Sequence, residues 1–216
     1  MTHRYPIICA ALVPFLLSSL ALAAETEGVS IEAMTCDAEL SLHVKLTKVE
    51  VTKEGPPDMT YYHCTADVLE LLHGKLADKT VTFTVLGQQD MGQPPINEWL
   101  DSKDGLIVFL STDQGYLDRR LKGELTPINA YRPCLFNLSK FDHAYDANAH
   151  FITDPKKLLP LIRATAKALD AFKTANPDTP TTKVIDLGSD SEVYKELWGG
   201  SGVAFRIPAF PIDPPK

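Results

Sequence analysis

Two long segments of alternating polarity, joined by a short polar break, most constrain the fold of this chain. Within residues 60–86, alternate positions are apolar in both segments: Tyr62, Cys64, Ala66 and Val68, then Val81, Phe83 and Val85. A period of two is the side-chain period of a β-strand. Gly74 and Asp78 in the break are turn residues, and such a hairpin needs further strands to bury its apolar face. The segment therefore predicts a β-barrel or a β-sandwich.

The N-terminus has the features of a cleaved signal peptide. Arg4 precedes an apolar run from Ile7 to Ala23, and the run ends in small residues that suit signal peptidase. We therefore expect a secreted or periplasmic protein, cleaved near Ala23 or Ala24. An uncleaved membrane anchor is the alternative, because the run is near the lower length limit of a spanning helix. The mature chain is expected to have no transmembrane segment, since no later stretch is sufficiently apolar.

The rest of the chain is long enough for one domain with an extension. We expect a signal peptide at 1–23, an N-terminal arm at 24–35, a β-barrel with a packed helix at 36–176 and a C-terminal extension at 177–216. All 28 acidic residues lie beyond the signal, and Arg4 is the one basic residue of 21 that is lost with it. The resulting acidic chain argues against nucleic acid and anionic lipid surfaces as partners, because both need a basic surface.

Three cysteines remain after the signal peptide: Cys36, Cys64 and Cys134. This is an odd number for an oxidising compartment, and one bridge with one free thiol is the simplest count. The chain has no Cys-x-x-Cys, so a thioredoxin-like redox centre and a zinc knuckle are not indicated.

The region before the hairpin predicts a bent strand. Its apolar residues change from even to odd positions: Leu40, Leu42, Val44 and Leu46, then Val49 and Val51. This phase change at Thr47–Lys48 predicts a β-bulge or a sharp bend. Further on, the run GLIVFL at Gly105–Leu110 is typical of a strand buried on both sides.

A helix is predicted near the C-terminal end of the barrel region. Apolar residues recur at helical spacing after Pro155 and continue to Phe172. Pro160 leaves open whether the first turn is separate or the helix begins at Pro160 itself. The last segment, 203–214, is apolar and broken by prolines, so we expect it to lie back on the domain.

The order of these segments resembles the netrin-like OB barrels of the tissue inhibitors of metalloproteinases and their bacterial relatives. The resemblance covers roughly Cys36 to Phe172. It rests on the bent first strand and on Val68–Lys75, Lys79–Leu86 and Gly105–Leu110. It implies a chain that is mainly β with some α: a five-stranded OB-like β-barrel, a C-terminal amphipathic helix from about Pro155 to Lys173 and an extended tail. A two-sheet sandwich is the alternative.

The resemblance also implies a disulfide between Cys36 and Cys134, with Cys64 as a free thiol. In such proteins a cysteine before the first strand is commonly joined to one after the last strand. The inhibitors begin their mature chain with Cys-x-Cys, whose first residue chelates the protease zinc. Cys36 lies well beyond the expected cleavage site and is followed by Asp37 and Ala38, so the inhibitory mechanism is not carried over.

A polar cluster before the predicted helix is a candidate metal site. If this segment is helical, His143, Asp146 and His150 share one face, and imidazole with carboxylate suits zinc or copper. A polar connector between barrel and helix is the favoured alternative, because no fourth ligand is evident. We therefore predict no metal and no other cofactor.

The sequence carries no recognisable catalytic motif. His63 and Cys64 are neighbours in a strand and point to opposite faces, so they are not expected to pair. Gly199–Gly202 misses the nucleophile-elbow pattern because residue 203 is Val. No phosphate loop, dinucleotide fingerprint or His-Glu-x-x-His is present.

These observations favour an exported, non-catalytic module of the cell envelope that binds a protein or peptide, with another envelope or secreted protein as its partner. We expect the binding surface in the barrel-end loops, with Met91, Trp99 and Tyr131 as candidate contact residues. Coverage of the core by Trp99 is the alternative role for that residue. A metal-binding exported protein and a hydrolase with an unrecognised site are the alternative functions.

Overall fold

The structure, a computed structural model, describes residues 28–52, 59–88, 94–112, 121–128, 134–188, 191–192, 195 and 203–212. The chain is mainly β with some α. The strands are β1 (Gly28–Val29), β2 (Leu40–Thr52), β3 (Met59–His73), β4 (Thr80–Gln88), β5 (Leu106–Ser111), β6 (Thr126–Pro127), β7 (Leu135–Asn137), β8 (Ala144–Tyr145), β9 (Phe151–Ile152), β10 (Thr182–Leu187) and β11 (Val203–Pro208). The helices are α1 (Ile31–Asp37), α2 (Ile96–Leu100) and α3 (Leu158–Ala175). No helix within these ranges has the length and apolarity needed to cross a membrane.

The predicted hairpin and the predicted bulge are both confirmed. Strands β3 and β4 pair antiparallel, and the inward residues of the hairpin lie in one apolar core with the even-numbered residues of β2. The register between β2 and β3 shifts between Leu46 and Lys48, where the apolar phase of the sequence changes. Because of this bend, β2 pairs with β3 along its length and with β5 over Leu40–Val44.

The largest sheet has the strand order β4-β3-β2-β5-β6, and β7 also pairs with β5. Its two ends are linked by one backbone hydrogen bond, in which the N–H of Thr84 donates to the carbonyl of Leu125 at 2.9 Å. The alternating strand directions in this order make β4 and β6 parallel. Pro127 of β6 has no N–H and therefore cannot donate a hydrogen bond to β4. The ladders therefore form an open sheet, and the predicted five-stranded OB barrel is not confirmed.

Strand β5 is buried on both faces, as its continuous apolar run predicts. Leu106, Val108 and Leu110 lie in the core inside the sheet, while Ile107 and Phe109 lie in a second core on the other face. This second core also contains apolar residues of α1 and α3. The sheet is therefore covered on one side by the helices.

The predicted C-terminal helix is present. A separate 3-10 turn at Pro155–Lys157 is followed by α3, so Pro160 lies in the first turn of the helix, where its missing N–H costs no hydrogen bond. Leu158 and Ile162 face the second core. On another face of the helix, Arg163 forms two hydrogen bonds of 2.7 and 2.6 Å with the carboxylate of Glu70 on β3.

The N-terminal segment differs from the expected polar arm. Residues 28–37 form β1 and α1, and every residue of α1 except Asp37 is buried. A helix buried on all sides has no polar face and hence no helical period for sequence analysis to detect. Strand β11 pairs with β1 and with β10, so the C-terminal segment lies back on the domain as predicted.

The structure has the three cysteines as buried thiols and does not contain the predicted bridge between Cys36 and Cys134. The reason is the position of Cys36 on α1. Met34 of this helix lies in the second core with Cys134, whereas Cys36 lies outside that cluster. Two residues correspond to about 200° around a helix, so Cys36 is turned to the opposite side from Met34.

Candidate functional site

A pocket of about 890 Å³ lies where α1, the β8–β9 turn, the start of α3 and the end of β11 meet. This volume falls within the range of sites that bind small molecules or short segments. Most of its wall is apolar and consists of Ile152, Pro160, Leu161, Ile207, Phe210 and Ile212. Glu32 also lines this pocket, which we call the Glu32 pocket.

The walls of the Glu32 pocket are held in place by contacts outside it. Phe210 stacks on Phe172 of α3, with ring centroids 4.6 Å apart. The N–H of Ala209 donates to the carbonyl of Thr181 at 2.9 Å. These contacts fix the end of β11 against α3 and β10, so the pocket is pre-formed.

Glu32 reaches the pocket because of how α1 begins. Ser30 caps the helix, and its hydroxyl oxygen accepts a hydrogen bond from the N–H of Ala33 at 3.1 Å. Ile31 and Met34 place one side of the helix in the second core. Residue 32 consequently points to another side, towards the β8–β9 turn.

Glu32 is a buried carboxyl group, only 4 % exposed. Its Oε1 accepts a hydrogen bond from the N–H of Ala147 at 3.1 Å, while Oε2 is buried without a hydrogen-bond partner in the described part of the chain. Buried polar atoms without partners are rare and costly. Glu32 also lines the pocket, so a ligand there lies beside this buried carboxyl group.

Burial raises the pKa of Glu32 from 4.5 to about 7. The negative charge of Asp146 adds to the rise. The rise in pKa is partly opposed by nearby hydrogen-bond donors, namely the backbone N–H groups of Glu32 and Ala147 and the hydroxyl of Ser30. None of these donors forms a hydrogen bond of good geometry with Oε2. Glu32 therefore changes its charge near neutral pH.

Three lysines also line the pocket: Lys156 and Lys157 from the 3-10 turn and Lys183 from β10. All three are exposed, and none forms an ion pair with a described residue. The side chain of Asp154 caps the turn by accepting the N–H of Lys156 at 3.0 Å. The pocket thus has local positive charge in a chain whose formal net charge is −7.

The segment with the candidate metal ligands is a β-hairpin, and the helical arrangement considered for it is wrong. Asp146 closes the turn between β8 and β9, where its Oδ1 accepts the N–H groups of Asn148 and His150 at 2.8 and 3.0 Å. His143 instead packs edge-on against Tyr145 and Phe151. Within the described ranges, no group of three His, Cys, Asp or Glu side chains is arranged to hold a metal ion.

Of the predicted contact residues, only Trp99 lies within the described residues; Met91 and Tyr131 lie outside them. Trp99 is buried in the core inside the sheet, so covering the core is its role in the structure. His63 and Cys64 do not pair with each other: His63 Nδ1 lies 2.9 Å from the Thr84 hydroxyl, and Cys64 lies in the core.

Sequence analysis missed Glu32 because the residue lies in the stretch assigned to the N-terminal arm. Its main local signal is an acidic residue two positions after a helix-capping Ser30. This pattern also occurs in ordinary exposed helices. Nothing in the local sequence indicates the pocket, because the other walls come from residues more than 100 positions away.

Comparisons of the chain with protein-family models, with curated proteins and with solved structures found no match. The resemblance to netrin-like OB barrels therefore stays a prediction.

Proposed function

We propose that this chain is an exported, non-catalytic module of the cell envelope that binds a peptide or protein segment in the Glu32 pocket. The observation that carries the proposal is a pre-formed, mainly apolar pocket of about 890 Å³ with a few polar residues in its lining. Apolar walls provide binding energy, and a small number of polar groups orient the ligand.

The composition of the pocket favours binding over catalysis. None of its described lining residues is Ser, Thr, Cys or His, so it offers no hydroxyl, thiol or imidazole group beside Glu32. The hydrolase alternative would need such a group or a metal-bound water. The metal-binding alternative loses support because Asp146 is engaged in closing a turn.

The size and position of the pocket favour a peptide. Its volume is near the upper end of the range for small-molecule sites, which gives room for several side chains. It opens among a turn, a helix start and a strand end, the type of location where binding residues gather on a rigid scaffold.

The OB-like barrel is part of the same proposal. It is supported by the strand order, by the bulge that lets β2 pair on both sides, and by the hydrogen bond from Thr84 to Leu125. In this arrangement β6 would complete the ring beside β4.

Export is supported by the basic residue, apolar run and small residues at the N-terminus. N-terminal sequencing of the protein purified from its native compartment tests this part of the proposal. We expect a mature chain that begins near Glu25. A chain that still begins at Met1 in the membrane fraction would contradict it.

Binding is tested with a labelled peptide pool and two tryptophan variants. Ala209→Trp adds bulk inside the pocket, whereas Val51→Trp adds the same side chain at an exposed position on β2 outside the pocket lining. We expect the wild type and Val51→Trp to retain the same peptides and Ala209→Trp to retain none. Equal retention by both variants, with both folded by circular dichroism, would reject the pocket as the binding site.

A further inference from the structure

We propose that the ligand of the Glu32 pocket is an acidic peptide segment, in which apolar residues are flanked by more than one Asp or Glu. A backbone N–H of this peptide donates to Oε2 of Glu32, and its carboxylates lie against Lys156, Lys157 and Lys183. This inference rests on the proposed function and specifies the class of peptide.

Oε2 of Glu32 is buried, and a hydrogen bond to it is missing among the described residues. Leaving a buried acceptor unpaired is unfavourable, and a ligand that donates a hydrogen bond to the ionised carboxylate removes this cost. A peptide has backbone N–H groups for this purpose. A fatty acid has a carboxylate and an apolar chain but no N–H, so it cannot donate to the ionised form of Glu32.

The lysines come from two separate elements, the 3-10 turn before α3 and strand β10. None of them forms an ion pair with a described carboxylate. A single terminal carboxylate supplies one negative charge for three ammonium groups. Several acidic side chains along one peptide match this arrangement.

With 28 acidic and 21 basic residues, the chain as a whole carries a negative net charge, which disfavours the approach of an acidic peptide. The three lysines of the pocket supply local positive charge for such a peptide. Electrostatic complementarity of this kind selects the partner and the site, while the apolar walls supply most of the affinity.

Asp146 is the charged residue of the hairpin turn that raises the pKa of Glu32, and it is already engaged by two backbone N–H groups. Glu32 lies on α1, whereas the lysines lie on the 3-10 turn before α3 and on β10. The donor contact and the carboxylate contacts therefore fall on different elements of the pocket wall.

The test measures binding by fluorescence anisotropy near physiological salt, with the mature chain and matched labelled peptides. One peptide has apolar residues flanked by Asp and Glu, and its partner has Asn and Gln at the same positions. We expect the acidic peptide to bind about tenfold more tightly than the amide peptide. Anionic phospholipid vesicles and inorganic phosphate are the other probes, and preferential binding of either would overturn the inference.

Two pairs of lysine substitutions identify the residues responsible. Lys156→Ala with Lys183→Ala is expected to remove the preference for the acidic peptide while leaving the affinity for the amide peptide nearly unchanged. Lys79→Ala with Lys103→Ala removes the same charge from exposed positions elsewhere and is expected to keep the preference. If both pairs behave alike, the lysines of the pocket are not the carboxylate site and the inference fails.

The possible failures are distinguishable. If both peptides bind equally and Ala209→Trp abolishes binding of both, the peptide-binding function stands and the acidic preference is rejected. If the wild type binds no peptide in the pool, the proposed function and this inference both fail. Glu32→Gln tests the hydrogen bond from the peptide N–H to Glu32, and we expect this substitution to weaken the binding of both peptides by a similar factor.

Discussion

The carboxylate of Glu32 and the backbone N–H of Ala147 are joined by a 3.1 Å hydrogen bond that spans 115 residues of chain. It connects α1 to the turn between β8 and β9, at one side of the Glu32 pocket. The bond satisfies only one of the two carboxylate oxygens. Four predictions follow from this contact and from others in the fold.

Glu32→Gln is expected to make stability less dependent on pH. The pKa of Glu32 is raised from 4.5 to about 7 in the folded state, so folding favours the protonated form. The stability of the wild type therefore falls as pH rises from about 4.5 to about 7, by roughly 3 kcal/mol in total. Gln does not ionise, so the variant should match the wild type near pH 4.5 and exceed its stability at pH 8.

Urea unfolding of both proteins across this pH range measures the effect. Asp78→Asn removes an exposed carboxylate and serves as the control, with a pH profile close to that of the wild type. A Glu32→Gln variant less stable than the wild type at pH 8 would show that the ionised form is favoured in the folded state.

Gly74→Ala is expected to destabilise the fold far more than Gly123→Ala. Both glycines have positive φ angles, +95° and +86°, which each cost a side chain about 1 kcal/mol. A Cβ at residue 74 would also lie 2.1 Å from the carbonyl oxygen of Glu39, whereas a Cβ at residue 123 meets no described atom within 4 Å. We expect a further loss of about 2 kcal/mol or more at Gly74, measured by urea unfolding. Equal losses would mean that Glu39 moves freely.

The amide of Thr84 is expected to exchange its hydrogen at least about tenfold more slowly than that of Thr82. Both N–H groups point away from β3, because the two residues are two positions apart on β4. The Thr84 N–H is bonded to Leu125, and its hydroxyl donates to Glu124 at 2.9 Å. Amide exchange followed by NMR makes the comparison within one strand. Similar rates would mean that the two ends of the large sheet separate readily in solution.

The thiols of Cys36, Cys64 and Cys134 are expected to be unreactive in the folded protein. Burial raises the pKa of both Cys36 and Cys64 to about 12, so very little reactive thiolate is present at pH 8. Titration of the mature chain with a thiol reagent, without reductant, should count almost no thiol in the folded protein and all three groups in denaturant. A bridge between Cys36 and Cys134 would leave only Cys64 to react.

Sequence alone determined the elements whose signal is periodic along the chain. The alternation in β3 and β4, the phase change at Thr47–Lys48, the run of β5 and the spacing in α3 were each predicted and are present. Each signal is local, because an element with one buried face repeats that face at its own period. A different argument gave the core-covering role of Trp99: an apolar side chain in a loop either covers the core or meets a partner, and Trp99 covers the core.

Tertiary structure alone decided where the candidate site lies. Helix α1 is buried on all sides, so it has no period, and Glu32 was indistinguishable from a residue of a polar arm. The segment from Asp146 to His150 forms a tight turn because the carboxylate of Asp146 accepts the backbone N–H groups of Asn148 and His150. A rule based on helical spacing does not take such side-chain to backbone hydrogen bonds into account. The pocket combines residues from 32 to 212, so its buried carboxyl group and its lysines come together only when segments far apart in the sequence pack against each other.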